Sequence, residues 1–139
     1  MAVGLVIVSH SAKLAEGIVE LAGQMAQGKV RILAAGGATD GALGTAPDNV
    51  LEAIGAADTG DGVLVLLDLG SAAMAAEMAI EQLPPEQRAR TLISEAPVVE
   101  GAVLAAVEAS VGSPLAAVAE TANGARALAK LPRQVDRQG

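Results

Sequence analysis

One imidazole serves the whole chain of 139 residues, which has no cysteine. That residue, His10, sits between two hydroxyls in Ile7-Val8-Ser9-His10-Ser11. A neutral imidazole can act as a nucleophile, accepting a group on one ring nitrogen while a neighbour fixes the other. The acid placed to be that neighbour is Asp68, in Asp68-Leu69-Gly70-Ser71. A carboxylate bonded to one nitrogen selects the tautomer and stabilises an imidazolium. Ser9, Ser11 and Ser71 are candidate hydroxyl donors to a transferred anion. Thr45 is another, at the end of the glycine-rich stretch Gly36-Gly37-Ala38-Thr39-Asp40-Gly41-Ala42-Leu43-Gly44. These residue types together suit a phosphohistidine. Each also has a plainer reading: His10 as a helix-entry bystander, Asp68 as a turn former, the glycines as a connector.

Whether they meet depends on the elements around them. Val3–Val8 is β-branched and uncharged, as expected of a strand covered on both faces. Ser11 is placed to cap a helix on which Leu14, Ile18, Leu21 and Met25 recur at spacings of three and four. Strands are expected at 30–34, 63–67 and 91–94. Further helices are expected from Pro47 to about Ala57, from a Ser71 cap to about Leu83, from Pro97 to about Val111, and from Pro114 to about Leu131. Met74 and Met78 are expected to fill core. The nearly charge-free helix after Pro97 should be either deeply buried or a subunit interface. Residues 1–131 form one domain on this reading, and 132–139 a flexible polar tail.

Strands alternating with helices imply an α/β fold of three layers, an open parallel sheet with helices on both faces. Right-handed crossovers make 2-1-3-4 the simplest strand order. The chain then reverses direction between strands 1 and 3. Open α/β sheets bind ligands at such a switch point, beyond the carboxyl ends of the strands. Those ends carry His10 and Asp68. The same edge offers a helix start, whose free N–H groups and dipole favour an anion.

Composition narrows the function further. There are 16 acids against 9 bases, for a net charge of −7, and no Phe, Tyr or Trp. Such a chain lacks both the basic field and the stacking platforms that nucleic acid needs. Without cysteine and with one histidine, most zinc and iron–sulfur sites are out of reach, and no metal or other cofactor is expected. No apolar run approaches the ~18 residues of a membrane span, and Val3–Val8 is too short for a signal peptide. A cytoplasmic protein is expected.

Among rival chemistries, a Ser-His-Asp hydrolase is disfavoured, because neither Ser9 nor Ser11 sits on a Gly-x-Ser-x-Gly elbow. A phospho-aspartate receiver needs acids after strand 1, where Ser-His-Ser stands. A non-catalytic binding or regulatory module using the same crevice stays open.

The segments LVIVSHSAKLAEGIVELAGQM, AAGG…DGALGT, VLVLLDLGSAAMAAEMA and APVVEGAVLAAV together resemble the phosphotransferase subunit of bacterial dihydroxyacetone kinases. That family is related to the IIA domain of mannose-type sugar phosphotransferase systems, and the resemblance covers roughly residues 1–130. It implies that His10 of "VSHS" is phosphorylated and that Asp68 of "DLGSA" supports it. It implies the phosphocarrier protein HPr as donor, and as acceptor ADP on the nucleotide-binding kinase subunit, which serves a third, dihydroxyacetone-binding subunit. It also implies a homodimer. Some relatives continue into fused HPr-like and Enzyme I-like domains, so this chain is expected to receive phosphate in trans. Ala46 stands where another small polar residue is expected after Gly44-Thr45, which puts a loop hydroxyl in doubt. The tryptophan usual near the Asp motif of the mannose branch is absent, which favours the dihydroxyacetone branch. The alternatives are a sugar-system IIA component and a regulatory module controlled by His10 phosphorylation.

Overall fold

The structure, a computed structural model, describes residues 2–131. The proposed tail, 132–139, lies outside the described residues. Four strands form one parallel sheet in the order β2-β1-β3-β4: β1 (Gly4–Ser9), β2 (Ile32–Gly36), β3 (Val63–Leu67) and β4 (Thr91–Ser94). This is the expected α/β architecture and strand order.

The two faces of β1 and β3 feed two cores. Leu5, Ile7, Leu64 and Leu66 point to the layer that holds α1 (Ala12–Met25), α5 (Val98–Ser110) and α6 (Leu115–Asn123). Val6, Val8, Val63 and Val65 point to α2 (Pro47–Ala57) and α3 (Ala73–Glu81) on the other side. Such two-sided burial explains why these strands are continuous apolar runs. The helices meet the sheet mostly through alanine, including Ala15 and Ala22, Ala75 and Ala79, and Ala105 and Ala109. Small side chains let helix axes come close to the strands, so a chain with no aromatic residue still fills its core.

Several boundaries differ from expectation, each for a physical reason. β2 begins and ends two residues later than the apolar pattern suggests. Its ladder with β1 runs from Leu5↔Ile32 to Ser9↔Gly36, so pairing carries Ala35 and Gly36 into the sheet against their weak β propensity. Val30, left out of the strand, is still buried in the core. Ser71 does not cap a helix. It lies within a 3₁₀ turn, Gly70–Ala72, that leads into α3. A short helix, α4 (Pro85–Ala89), follows Pro84, where the Pro-Pro pair reads only as a stop. The last helix ends at Asn123 and continues as 3₁₀ over Gly124–Ala127 rather than running to Leu131. Met74 and Met78 are not core: they are 71% and 47% exposed, while the alanines of α3 take the sheet-facing side. The nearly charge-free helix, α5, is partly buried: Gly101, Ala102, Ala105, Ala106 and Ala109 are inside, but Val99 and Val107 are exposed.

Candidate functional site

β1 and β3 are neighbours and pair Val8 with Leu67, so the residues that follow them share one sheet edge. Ser9 is the last residue of β1, His10 follows it, and Asp68 is the first residue beyond β3. The Asp68 N–H continues the ladder by donating to Val8 O (3.0 Å). The switch point therefore brings together groups 58 residues apart.

The Asp68 carboxylate is the hub. Its Oδ1 accepts from His10 Nδ1 (3.0 Å) and from the Leu69 N–H (2.7 Å). Its Oδ2 accepts from the His10 backbone N–H (3.0 Å) and from the Ser9 hydroxyl (3.0 Å). The group is only 8% exposed. Burial alone works to raise its pKa, but the hydrogen bonds from the His10 N–H and ring, Leu69 and Ser9 outweigh it and hold the carboxyl below its ordinary value. It is ionised at neutral pH and can only accept. The proton between the two side chains therefore belongs to Nδ1, and the neutral ring keeps its lone pair on Nε2.

Nε2 faces the open side. The Ser71 hydroxyl lies 2.9 Å from it and donates to it. The ring is 29% exposed, so an incoming group can reach that nitrogen. The 3₁₀ turn that displaces Ser71 from a capping role is what aims its hydroxyl here. Ser9, expected from the sequence as a hydroxyl donor to a transferred anion, is instead fully buried. Besides donating to Asp68, it accepts the Ser11 N–H (3.0 Å), so it ties the site to the start of α1. A polar residue closing an otherwise apolar strand is the one sequence sign of that task. Ser11 is the N-cap of α1, accepting from Leu14 N–H at 3.2 Å. With Ser11 and Leu14 satisfied, the first-turn N–H groups of Ala12 and Lys13 lack intrahelical partners and stand beside His10.

The glycine-rich loop fixes the backbone rather than the side chain of His10. Gly37 N–H donates to Ser9 O (3.1 Å) and Gly44 N–H to His10 O (2.8 Å). The Thr45 hydroxyl bonds to neither His10 nor Asp68, so the loop's donors here are backbone N–H groups. Gly36 lets α1 lie close: a Cβ there would sit 2.7 Å from both Ala12 Cα and Ser11 O.

Beside Asp68 opens a cleft of about 560 Å³, lined by Leu69, Gly70, Glu77, Ile93, Glu95 and others. Exposed Leu14, Leu43, Leu69 and Met74 belong to the segments that carry the site. Both Asp68 oxygens are occupied by donors, and among the described residues no three His, Cys, Asp or Glu side chains gather as a metal site. No helix is long and apolar enough to cross a membrane among the described residues.

A family model described as "PTS system fructose IIA component" matches residues 4–119. The chain belongs to that IIA family. Among curated relatives, it is 45% identical over 114 residues to "PEP-dependent dihydroxyacetone kinase, phosphoryl donor subunit DhaM" of Escherichia coli, covering 80% of this chain and 24% of that one. It is 43% identical over 126 residues to the protein of the same name in Klebsiella michiganensis, covering 88% and 27%. With "PEP-dependent dihydroxyacetone kinase 2, phosphoryl donor subunit DhaM" of Listeria innocua the identity is 38% over 109 residues, covering 78% and 87%. The chain thus spans about a quarter of the two enterobacterial relatives and most of the Listeria one. Among solved structures, the crystal structure of EF1359, a protein of unknown function, superposes with a TM-score of 0.77 at 33% identity, covering 89% of this chain and 95% of that one.

Proposed function

We propose that this chain is the phosphoryl donor component of a dihydroxyacetone kinase driven by the phosphotransferase system, carrying phosphate on His10 Nε2. The observation that carries the reading is the division of labour on the ring: Nδ1 is held by an ionised Asp68, and Nε2 is left as an accessible lone pair beside Ser71. Membership of the IIA family and the names of the DhaM relatives support the same role.

In the first step Nε2 attacks the phosphorus of histidine-phosphorylated HPr in line. The P–N bond to HPr breaks as the P–Nε2 bond forms. The ring keeps its Nδ1 proton and becomes an imidazolium, whose positive charge lies against the Asp68 carboxylate. Ser71 gives up its bond to the lone pair and donates to a phosphoryl oxygen. The Ser11 hydroxyl and the Ala12 and Lys13 N–H groups share the remaining charge. In the second step ADP on the nucleotide-binding subunit attacks, the P–Nε2 bond breaks and the ring returns to its neutral form. Ser9 positions Asp68 and touches no substrate. Thr45 retains at most an outer role in the loop. The phosphocarrier domain spans 1–131, and the chain works as a cytoplasmic homodimer that meets HPr and the two kinase subunits through the apolar residues around the site.

A sugar-system IIA component is the second reading, favoured by the family description itself. Both readings share the first step and differ in the acceptor. Incubation with Enzyme I, HPr and phosphoenolpyruvate should add the mass of one phosphate to the chain and none to His10→Ala. The phosphorylated chain should then convert ADP to ATP only when the nucleotide-binding kinase subunit is present. Uptake by His10→Ala would overturn the phosphohistidine. Uptake by the parent with no delivery to that subunit would return the sugar reading.

A further inference from the structure

Acids outnumber bases on this chain by 16 to 9, so a cation beside the site stands out. In the three segments that bring the site together, 9–14, 36–45 and 68–74, Lys13 is the one basic residue besides His10. It holds the second helical position of α1, after the Ser11 cap and Ala12. A cation there opposes the helix dipole, which leaves partial positive charge on the first turn. The chain follows the dipole elsewhere: α2, α4 and α5 each open with an acid, Asp48, Glu86 and Glu100. α1 has no acid in its first turn. Glu16, three residues on, makes no ion pair with Lys13, and among the described residues the Lys13 ammonium has no polar partner. A local rule broken with no local compensation points to a gain that the free chain does not show.

The site supplies that gain. The Lys13 N–H is one of the two first-turn donors that lack intrahelical partners beside His10. A phosphoryl oxygen ~2.9 Å from that nitrogen lies about 4 Å from Lys13 Cα. In a helix each Cα–Cβ bond leans toward the N-terminus, here toward the edge where Nε2 opens. At ~100° per residue Lys13 lies nearly opposite buried Ala15. Its flexible four-carbon stem is therefore free of the core. The ammonium folds over the oxygens that the N–H groups hold from beneath. Ser11 and Ser71 offer hydrogen bonds, whereas Lys13 sets a full charge against a dianion. The dianion also reverses the sign of its surroundings: Lys13 is misplaced in the free chain and well placed in the phosphorylated one.

We infer that Lys13 is a catalytic residue of the transfer, its ammonium binding the phosphoryl group as it arrives at His10 Nε2 and while it rests there. The inference depends on phosphate being carried by His10, and the test below separates the two.

Potassium phosphoramidate serves as a donor that needs no partner protein: its P–N bond breaks, ammonia leaves, and the P–Nε2 bond forms. Lys13→Gln should slow uptake from it by about tenfold, and Lys13→Glu by more. Lys13→Arg should restore it. The gap between parent and Lys13→Gln should narrow in about 1 M salt, which screens exposed charges. Lys29→Gln loses the same charge from an exposed turn beyond the far end of α1 and should take up phosphate like the parent. In denaturant unfolding of the free protein, Lys13→Glu should be at least as stable as the parent, because an acid suits the first turn. A parent that takes up phosphate from neither phosphoramidate nor phospho-HPr would contradict the phosphohistidine, and the inference with it. Parent uptake matched by Lys13→Gln would overturn the inference alone. So would a Lys13→Gln defect confined to phospho-HPr, which would make Lys13 a docking contact, or a Lys13→Glu variant that unfolds early, which would make it structural.

Discussion

At the scale of single residues, the account rests on Asp68 receiving four donors at once: two backbone N–H groups, the His10 ring and the Ser9 hydroxyl. Asp68→Asn keeps the size but replaces one acceptor oxygen with an NH₂, so at least one donor must face another donor. We expect phosphoryl uptake to slow by about a hundredfold or more, in line with losing the carboxylate partner of a catalytic imidazole. The thermal midpoint should also fall, by the equivalent of about 1–3 kcal/mol for unpaired buried donors. Rapid-quench uptake kinetics and calorimetry on the same sample separate the two effects. His10 and Asp68 were both readable from sequence, because each closes a strand that the switch-point rule makes special. Ser9 is legible as a hydroxyl beside His10 but not as a partner of Asp68, since that role exists only once β1 and β3 pair and a buried carboxylate needs a fourth donor. Thr45 is a weaker signal, because a hydroxyl next to a glycine-rich loop says nothing about which way it points.

Elements place these residues, and most of the elements are legible because their signals are local. β3, β4 and α2 fall where their apolar runs and Pro47 put them. The exceptions are set by distant partners. β2 takes its bounds from the ladder with β1, and the 3₁₀ turn that carries Ser71 meets the site through the bond of its hydroxyl to His10. α4 is not legible in the sequence because Pro84-Pro85 ends one helix and starts another in the same two residues. The closeness of α1 to β2 carries its own prediction. Gly36→Ala would drive a methyl into Ala12 Cα and Ser11 O, which are backbone and cannot swing aside. We expect a loss of about 1–3 kcal/mol in denaturant unfolding, typical of overpacking. Phosphoryl uptake should also fall, because the displaced segment is the Ser11 cap beside His10. Gly23→Ala, in open space on α1, should be neutral or slightly stabilising and leave uptake unchanged.

For the molecule as a whole, the acidic balance that argued against nucleic acid also shapes its stability. Two little-exposed carboxylates sit below their ordinary pKa. Asp68 is one. Asp58 is the other: burial works to raise it, but hydrogen bonds from Arg90 and the Gly60 N–H and the charge of Arg90 (2.9 Å) hold it down. A carboxyl whose folded pKa lies below its unfolded one stabilises the fold at every pH above the unfolded value, near 3.8. That stabilisation is lost as pH falls through the folded value. The thermal midpoint should thus be flat from neutral pH to about pH 5 and drop below about pH 4. Asp58→Asn should lower the neutral plateau and soften the acid drop. A midpoint that rises on acidification would oppose this reading.

The division of roles on the His10 ring is the claim on which the proposed function turns, and a chain with one histidine lets it be read without ambiguity. Long-range ¹H–¹⁵N spectra of the ¹⁵N-labelled protein, recorded before and after phosphorylation, report both ring nitrogens. The account predicts that Nδ1 carries the proton in the free protein and that ³¹P coupling appears on Nε2 in the phosphorylated one. A free ring protonated on Nε2, or phosphorus bonded to Nδ1, would contradict it.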